Sequence, residues 1–303
     1  MDQVSGLAPV VVFAYQRPVH LGRVLDALAT NEAAERSRVT VMIDGPRTTD
    51  QRSVSDRVED EARKPRSFGE LAVLRRDSNL GLADSILNGV STVLENDDRI
   101  IVLEDDTVVG RHFLDYMNDA LVMYEDDARV ASIHGYVYPV GVDLPETFFM
   151  RGADCWGWAT WSRAWRQFER DGRTLQRQLV ESGEQEAWDF SGEAGLNAML
   201  EATIAGEVDS WAVRWSASAH LRGQFTLYPG RSLVANIGNE GSGRHAGSTS
   251  SYDVDLCDER IPVERIPMQE SAAGRKAFMD FYRSRNRLTL GERLRRAFRQ
   301  DHR

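Results

Sequence analysis

The segment Ile100-Ile-Val-Leu-Glu-Asp-Asp106 runs from four consecutive apolar residues directly into three acids. A short, uninterrupted apolar run is typical of a β-strand that is buried on both faces of a parallel sheet. Carboxylates do not belong inside such a strand, so we expect the strand to end where the acids begin. The segment therefore predicts a buried strand whose carboxyl end carries three carboxylates.

Similar apolar runs flank this strand, and helical patterns separate them. Further strands are predicted at residues 9–15, 39–43, 71–74 and 130–133. Helices with an apolar stripe are predicted after Pro18, Leu82 and Phe113, and a polar surface helix is predicted within residues 47–66. Repeated β-then-α units predict an α/β fold with a mostly parallel, doubly wound sheet flanked by helices.

The pattern changes along the chain and predicts three regions. Residues 9–135 hold the regular alternation and are expected to form a nucleotide-binding half. Residues 136–250 lose it and contain all seven tryptophans, as expected for a substrate-facing half of the same domain, residues 1–250. Residues 251–303 are expected to form a C-terminal extension.

Composition excludes several classes of protein. The 303-residue chain has a net charge of −10, which argues against a dedicated nucleic-acid binder. Its two cysteines are too few for a disulfide framework and lack metal-ligand spacing, which fits a reducing cytosol. No apolar run approaches the roughly 20 residues of a membrane span, and the first six residues do not resemble a signal peptide. We expect a cytoplasmic enzyme or binding module.

The C-terminal extension is basic although the whole chain is acidic. From Arg275 onward it holds ten arginines or lysines and three acids, interspersed with apolar residues. This pattern predicts an amphipathic helix or pair of helices. Three interpretations remain open: packing on the protein body, peripheral contact with the anionic inner membrane surface, and contact with another subunit.

The three acids after the strand predict a metal site. Adjacent carboxylates repel one another, so a cation that neutralises them is a natural partner. Mn²⁺ and Mg²⁺ take oxygen ligands and commonly share them between carboxylates and substrate phosphates. The alternative is a solvated turn, which we expect for the pairs Asp97-Asp98 and Asp126-Asp127.

Other polar residues are expected at the same edge of the sheet, because ligands of open α/β sheets bind at the carboxyl ends of the strands. Arg17 follows the first strand and could bind phosphate or a base, and Asp44 ends the second strand and could accept a hydrogen bond from a base or ribose. Gly81 lies in the Asn79-Leu-Gly-Leu82 turn, where backbone N–H groups could approach a nucleotide. The glycine patterns of dinucleotide-binding enzymes and P-loop ATPases are missing from the sequence.

These motifs, in this order, resemble GT-A glycosyltransferases. The first strand with Tyr15-Gln-Arg-Pro18, the Asn79-Leu-Gly-Leu82 turn and Glu104-Asp-Asp106 come first. Cys155-Trp-Gly-Trp-Ala-Thr-Trp161, Asp209-Ser-Trp211 and Asn236-Ile-Gly-Asn-Glu-Gly-Ser-Gly-Arg-His245 follow. The set is similar to bacterial relatives of N-acetylglucosaminyltransferase I, which are inverting, metal-dependent enzymes that use nucleotide sugars. It spans residues 9–247.

The resemblance implies roles in donor binding. Glu104, Asp105 and Asp106 stand in the position of the D-x-D motif, where Asp106 would bind the metal ion and Glu104 would lie nearer the sugar or ribose. Asp44 would contact the uracil base, and Arg17 would contact the nucleotide. Mn²⁺ or Mg²⁺ and a UDP-sugar are the implied cofactor and donor.

The resemblance also implies roles around the reacting sugar. Asp209 aligns with the catalytic base, although Ser210 replaces the second acid of the family pattern. Trp156 and Trp158 belong to a loop that borders the donor sugar and the acceptor. His245 matches a metal ligand of many GT-A enzymes, and Gly241 and Ser242 belong to a loop that would close over the diphosphate.

For several of these residues a structural interpretation stays open. Asp209 precedes a predicted helix and could be its N-cap. The rings of Trp156 and Trp158 could stack on a sugar or lie in the core, and His245 could be an ordinary loop residue. Core positions are expected for the four tryptophans with helical spacing, Trp161, Trp165, Trp211 and Trp215.

The sequence therefore predicts an inverting, divalent-metal-dependent hexosyl- or N-acetylhexosaminyltransferase. The acceptor could be a glycan, a lipid-linked glycan, a protein or a small molecule. Alternatives are a non-catalytic carbohydrate-binding protein on the same fold, a sugar-nucleotide nucleotidyltransferase and a membrane-surface scaffold. The nucleotidyltransferase normally begins with a glycine-rich loop that Tyr15-Gln-Arg-Pro18 does not resemble.

Overall fold

The computed structural model describes residues 6–238 and 250–300, and side chains as far as Asn286. The strands are β1 (Val10–Ala14), β2 (Arg38–Ile43), β3 (Glu70–Arg75), β4 (Arg99–Glu104), β5 (Thr107–Val109), β6 (Val130–His134), β7 (Thr147–Arg151), β8 (Trp158–Trp161), β9 (Phe225–Pro229) and β10 (Val234–Asn236). The α-helices are α1 (Pro18–Ala29), α2 (Arg52–Ala62), α3 (Leu82–Val93), α4 (Phe113–Met123), α5 (Ser162–Trp165), α6 (Gly172–Ser182), α7 (Gln185–Trp188), α8 (Leu196–Ala205), α9 (Trp211–Leu221) and α10 (Ala272–Gln300).

One sheet of eight strands forms the centre of the molecule, in the order β3-β2-β1-β4-β8-β6-β9-β7. β1, β2, β3 and β4 pair in parallel, and β6 and β9 pair in parallel. β8 is antiparallel to both of its neighbours, and β7 is antiparallel to β9, so six of the eight strands point the same way. The expected α/β class with a mostly parallel sheet is confirmed. β5 and β10 form a separate two-stranded sheet.

Helices cover both faces of the sheet because its central strands are apolar on both sides. Alternate residues of β1 point to opposite faces. Val10 and Val12 pack in a core with residues of α1, α2 and α4, whereas Val11 and Phe13 pack in a second core with residues of α3 and α9. This arrangement is the doubly wound architecture that the alternating sequence predicts.

The tryptophan-rich region places most of its rings in the second core. Trp158 begins β8 and is fully buried, with ring centroids 5.7, 5.3 and 6.0 Å from those of Trp165, Trp211 and Trp215. The prediction that Trp158 borders a ligand is wrong, because β8 inserts between β4 and β6 and carries the ring into the interior. The core positions expected for Trp161, Trp165, Trp211 and Trp215 are confirmed.

The C-terminal residues pack against the rest of the chain. Val254, Val263 and Ile266 lie against the first core. Phe278, Phe281 and Tyr282 of α10 lie in a further apolar cluster with residues of β7 and β9. This contact accords with packing on the protein body, and membrane contact stays a prediction. Within the described residues, no helix has the length and apolarity that a membrane crossing requires.

Candidate functional site

Three parallel strands bring the predicted donor-binding residues to one edge of the sheet. Arg17 follows β1 as the N-cap residue of α1, Asp44 follows β2, and Glu104 is the last residue of β4. Because β1 lies between β2 and β4, the carboxyl ends of these strands are neighbours. The edge is the place where ligands bind in open α/β sheets.

Arg17 bridges two of the three acids. One of its guanidinium nitrogens donates to Asp105, and the other lies 2.9 Å from Oδ2 of Asp106. Asp105 is only 3% exposed and also accepts a hydrogen bond of 3.3 Å from the backbone N–H of Tyr15. The predicted metal-binding acids thus already have one cationic partner, which comes from the chain itself.

Burial and repulsion shift the pKa values in this cluster. Burial raises the pKa of Glu104 well above its usual range, and the charges of Asp106 and Asp105 raise it further. Burial also raises the pKa of Asp105, although Arg17 opposes the shift. Burial lowers the pKa of Arg17, but the two aspartates outweigh it and the net shift is upward. Three acids share one guanidinium, so a further cation would relieve their repulsion.

A tight turn, residues 104–107, holds the acids and is called the acid turn below. The backbone N–H of Glu104 donates to the hydroxyl of Thr107 at 3.0 Å. The same hydroxyl donates back to the carbonyl of Glu104 at 2.8 Å. These bonds fold Asp105 and Asp106 into the connection between β4 and β5, with Asp106 on the more accessible side.

The backbone after β10 lies directly on the acid turn. The N–H of Ile237 donates to the carbonyl of Asp106 at 2.8 Å. A Cβ atom on Gly238 would lie 2.2 Å from Oδ2 of Asp106 and 3.0 Å from Nη1 of Arg17, so only glycine fits there. Residues 239–249 follow, and the predictions for Gly241, Ser242 and His245 therefore lie outside the described residues.

Asp44 orders the turn that begins α3. Its Oδ1 accepts hydrogen bonds of 2.9 Å from the N–H groups of Gly45 and Leu80. Its Oδ2 accepts bonds from the N–H of Gly81 at 3.0 Å and from the side-chain amide of Asn79 at 2.7 Å. A carboxylate offers about four acceptor positions, so these donors use its capacity. Contact with a base stays a prediction, and the observed partners give Asp44 a structural task.

Asp209 joins the same edge from the other half of the chain. A Cβ atom on Gly81 would lie 3.9 Å from Oδ2 of Asp209, which places the carboxylate beside the turn that Asp44 orders. The Asp209 side chain is 64% exposed. Gly81 itself has φ of +84° and ψ of 165°, a conformation that essentially only glycine adopts.

The N-cap of α9 is Ser210 and not Asp209. The Ser210 hydroxyl accepts a hydrogen bond of 3.3 Å from the N–H of Val213. The capping alternative for Asp209 is therefore wrong. Its partner is Arg214, whose guanidinium lies 3.3 Å from Oδ1. Sequence reasoning missed Arg214, although its place in the first turn after the cap was a usable signal.

Trp156 differs from Trp158 because it stays at the surface. It is partly exposed and makes edge-on contacts with Tyr136 and Tyr252, at centroid distances of 4.8 and 5.4 Å. Gly157 lies between the two tryptophans and has φ of +62°. The chain bends at this glycine, so the partly exposed ring of Trp156 and the buried ring of Trp158 lie on different sides of it. A ligand contact of Trp156 stays a prediction, and its exposure permits one.

The donor atoms suit a hard divalent cation with few protein ligands. Within residues 6–238 and 250–300 there is no cluster of three or more His, Cys, Asp or Glu side chains that could hold a metal ion. Mg²⁺ is commonly held by one or two carboxylates together with substrate phosphates, and Asp106 offers such a carboxylate. The acid turn therefore fits a metal ion that shares its ligands with a bound diphosphate.

Comparisons with known proteins give structural similarity only. No protein-family model matches the chain, and no curated protein matches it. A mannose-1-phosphate geranyltransferase structure from Thermus thermophilus is similar with a TM-score of 0.36 and 15% identity over 78% of this chain and 77% of that chain. A mannosyltransferase from Pyrobaculum calidifontis, in complex with GDP-Man and Mn²⁺, has a TM-score of 0.32 and 17% identity over 45% and 37%. S. aureus TarS has a TM-score of 0.30 and 15% identity over 48% of this chain and 25% of that chain. The chain therefore spans well under half the length of the mannosyltransferase and of TarS.

Proposed function

We propose that the protein is an inverting, divalent-metal-dependent glycosyltransferase that uses a nucleotide-diphosphate sugar, with a UDP-sugar as the expected donor. One observation carries the proposal: residues from both halves of the chain meet at the edge where β1, β2 and β4 end. There the acid turn holds the buried Asp105, and the exposed carboxylate of Asp209, whose ion-pair partner is Arg214, lies beside the turn that begins α3.

In this proposal Asp209 acts as the general base. Its Oδ1 faces Arg214, and its Oδ2 has no hydrogen-bond partner among the described residues. A carboxylate with one free oxygen can take the proton of an acceptor hydroxyl as that hydroxyl attacks the anomeric carbon. Direct attack inverts the configuration and requires no covalent intermediate. Arg214 holds the carboxylate by its other oxygen.

The acid turn and Arg17 serve the leaving group. Asp106, with Asp105 and Glu104 beside it, would hold the metal ion, which when bound neutralises charge on the departing diphosphate. Arg17 is 23% exposed and can direct guanidinium N–H groups towards phosphate oxygens, a geometry that arginine suits. Asp44 accepts the backbone N–H groups of Leu80 and Gly81, so these groups are not free to bind the nucleotide and Asp44 instead fixes the turn at the start of α3.

Two substitutions separate donor binding from chemistry. Asp106→Asn removes a ligand charge and should weaken binding of UDP with Mn²⁺ by at least about ten-fold in calorimetry. Asp209→Asn should leave that affinity unchanged and lower turnover by about 10²–10⁴-fold, the usual contribution of a general base.

Matched controls lie close in the chain. Asp98→Asn, at the exposed start of β4, and Glu207→Gln, two residues before Asp209, should match the wild-type protein in both assays. Unchanged UDP affinity in the Asp106 variant would remove the metal assignment. Turnover of the Asp209 variant within three-fold of wild type would remove the base.

A further inference from the structure

A further carboxylate, Asp154, lies at the same end of the sheet without a predicted role. It belongs to the connection between β7 and β8. Its Oδ2 accepts hydrogen bonds from the hydroxyls of Tyr138 and Tyr228 at 3.0 and 3.3 Å, and its Oδ1 accepts one of 2.8 Å from the N–H of Cys155. The side chain is 25% exposed, so a held carboxylate still reaches the surface.

A buried histidine stands behind this carboxylate. His134 ends β6 and is 0% exposed, and within the described part of the chain neither of its ring nitrogens has a hydrogen-bond partner. Its Nε2 lies 3.8 Å from Oδ2 of Asp154, beyond hydrogen-bond distance. Burial lowers the pKa of His134, although Asp154 opposes the shift, so the ring is neutral at neutral pH. The contacts that hold Asp154 therefore come from neutral donors, two tyrosine hydroxyls and a backbone N–H.

Trp156 supplies an aromatic surface two residues from Asp154. Its ring is partly exposed and is held edge-on by Tyr136 and Tyr252. A carboxylate accepts hydrogen bonds from hydroxyl groups, and an aromatic face packs against the C–H face of a sugar ring. A rigid ring beside a held carboxylate is thus suited to a polyhydroxylated ligand.

The position of Cys155 connects this place to the acid turn. Burial raises the pKa of the Cys155 thiol, and the charges of Asp154, Glu104 and Asp106 raise it further. The backbone geometry places the two regions next to each other, because a Cβ atom on Gly157, two residues after Cys155, would lie 3.5 Å from Cδ2 of Leu103, the residue before Glu104. A ligand at Asp154 borders the donor site, and an anionic ligand would be repelled there.

We propose that Asp154 and Trp156 form the acceptor subsite and that the acceptor presents a neutral sugar to the enzyme. This inference rests on the proposed function and narrows it to the transfer of one sugar onto another. Asp154 binds acceptor hydroxyl groups while Trp156 packs against the ring. Tyr138 and Tyr228 fix the carboxylate, so the hydroxyl groups meet a preorganised acceptor of hydrogen bonds.

Saturation-transfer NMR without any nucleotide tests the proposal directly. The probes are neutral methyl glycosides of glucose, galactose, mannose and N-acetylglucosamine, with glucuronic acid as the anionic probe. We expect at least one neutral glycoside to bind wild-type protein and glucuronic acid not to bind. Asp154→Asn should weaken that binding by about 10- to 100-fold, as for a lost hydrogen bond to a charged group. Trp156→Leu should weaken it by up to about 10-fold, because the aromatic packing surface is lost. Asp143→Asn, at an exposed position between β6 and β7, is the control and should bind normally.

Calorimetry with UDP and Mn²⁺ on the same variants keeps the two proposals apart. Donor affinity should be unchanged by Asp154→Asn and by Trp156→Leu, which also shows that the variants are folded. Absence of glycoside binding to the wild-type protein, or equal binding by both variants, would overturn the acceptor subsite while leaving the donor site intact. Loss of UDP binding in these variants would also overturn it, because the residues would then serve the donor. Failure of the wild-type protein to bind UDP with Mn²⁺ would instead count against the proposed function.

Discussion

Asp44→Asn tests whether this carboxylate is a structural residue of the fold. Asp44 is 6% exposed and each of its oxygens accepts two hydrogen bonds. An asparagine can keep the two bonds of one oxygen, but its NH₂ group then faces the two donors that the other oxygen served. Each bond to a charged acceptor contributes about 1.5–3 kcal/mol, so the loss of two predicts about 3–6 kcal/mol of destabilisation.

Urea denaturation followed by tryptophan fluorescence measures this loss. With a slope of about 3 kcal/mol/M, the midpoint should fall by about 1–2 M. Asp77→Asn is the matched control, because Asp77 is exposed in the connection after β3 and should leave the midpoint unchanged. If Asp44 served only to bind a base, the variant would keep wild-type stability and change only nucleotide affinity. A midpoint within about 0.2 M of wild type would therefore refute the structural assignment.

The remaining predictions concern α9. Ser210→Ala removes the N-cap and should lower the unfolding free energy by about 1 kcal/mol. Asp209→Asn should change the unfolding free energy by less than about 0.5 kcal/mol. Equal effects of the two variants in urea titrations would contradict the cap assignment. His220 is 2% exposed, and burial lowers its pKa to about 4. The charge of Arg151 lowers the pKa further, whereas Glu184 opposes the shift. In the unfolded chain this histidine takes up a proton near pH 6.5, whereas in the folded protein it stays neutral down to about pH 4. The free energy of unfolding should therefore fall by up to about 3 kcal/mol as the pH falls from 6.5 towards 4. His220→Asn should flatten the pH dependence of stability across this window, and an unaltered slope would contradict it.

Much of the sheet could be predicted because its strands have strong local patterns. β1, β2 and β4 are continuous apolar runs, and each is followed by the polar residue that ends it. The carboxyl edge could then be placed by a rule of α/β folds. Strands β7 to β10 could not be predicted, because they are three to five residues long and lie among irregular segments. For the same reason β8, and with it the burial of Trp158, escaped prediction.

The partners within the site escaped prediction for a different reason. Arg17 and Asp105 are 88 residues apart in the chain, and no local pattern encodes their contact. The helix cap was wrong by one position, because Asp209 and Ser210 are both common N-cap residues and sequence alone does not separate them. The hydrogen bonds of Asp44 depend on how the Asn79 turn folds back over β2, which is likewise a tertiary feature.

The place of β8 in the sheet has a consequence for how the protein folds. β1 to β4 can assemble from the first third of the chain. In contrast, β8 must insert between β4 and β6. β6 must also pair with β9, where Val130 lies opposite Phe225, which is 95 residues away in the chain. Such distant pairings close large loops before they gain contacts, so they form slowly. Asp209 precedes α9, and the rings of Trp211 and Trp215 on this helix pack against Trp158 of β8. We therefore expect the donor half to gain amide protection from hydrogen exchange early in refolding and the reactive carboxylate to reach its place only in the last, slowest phase.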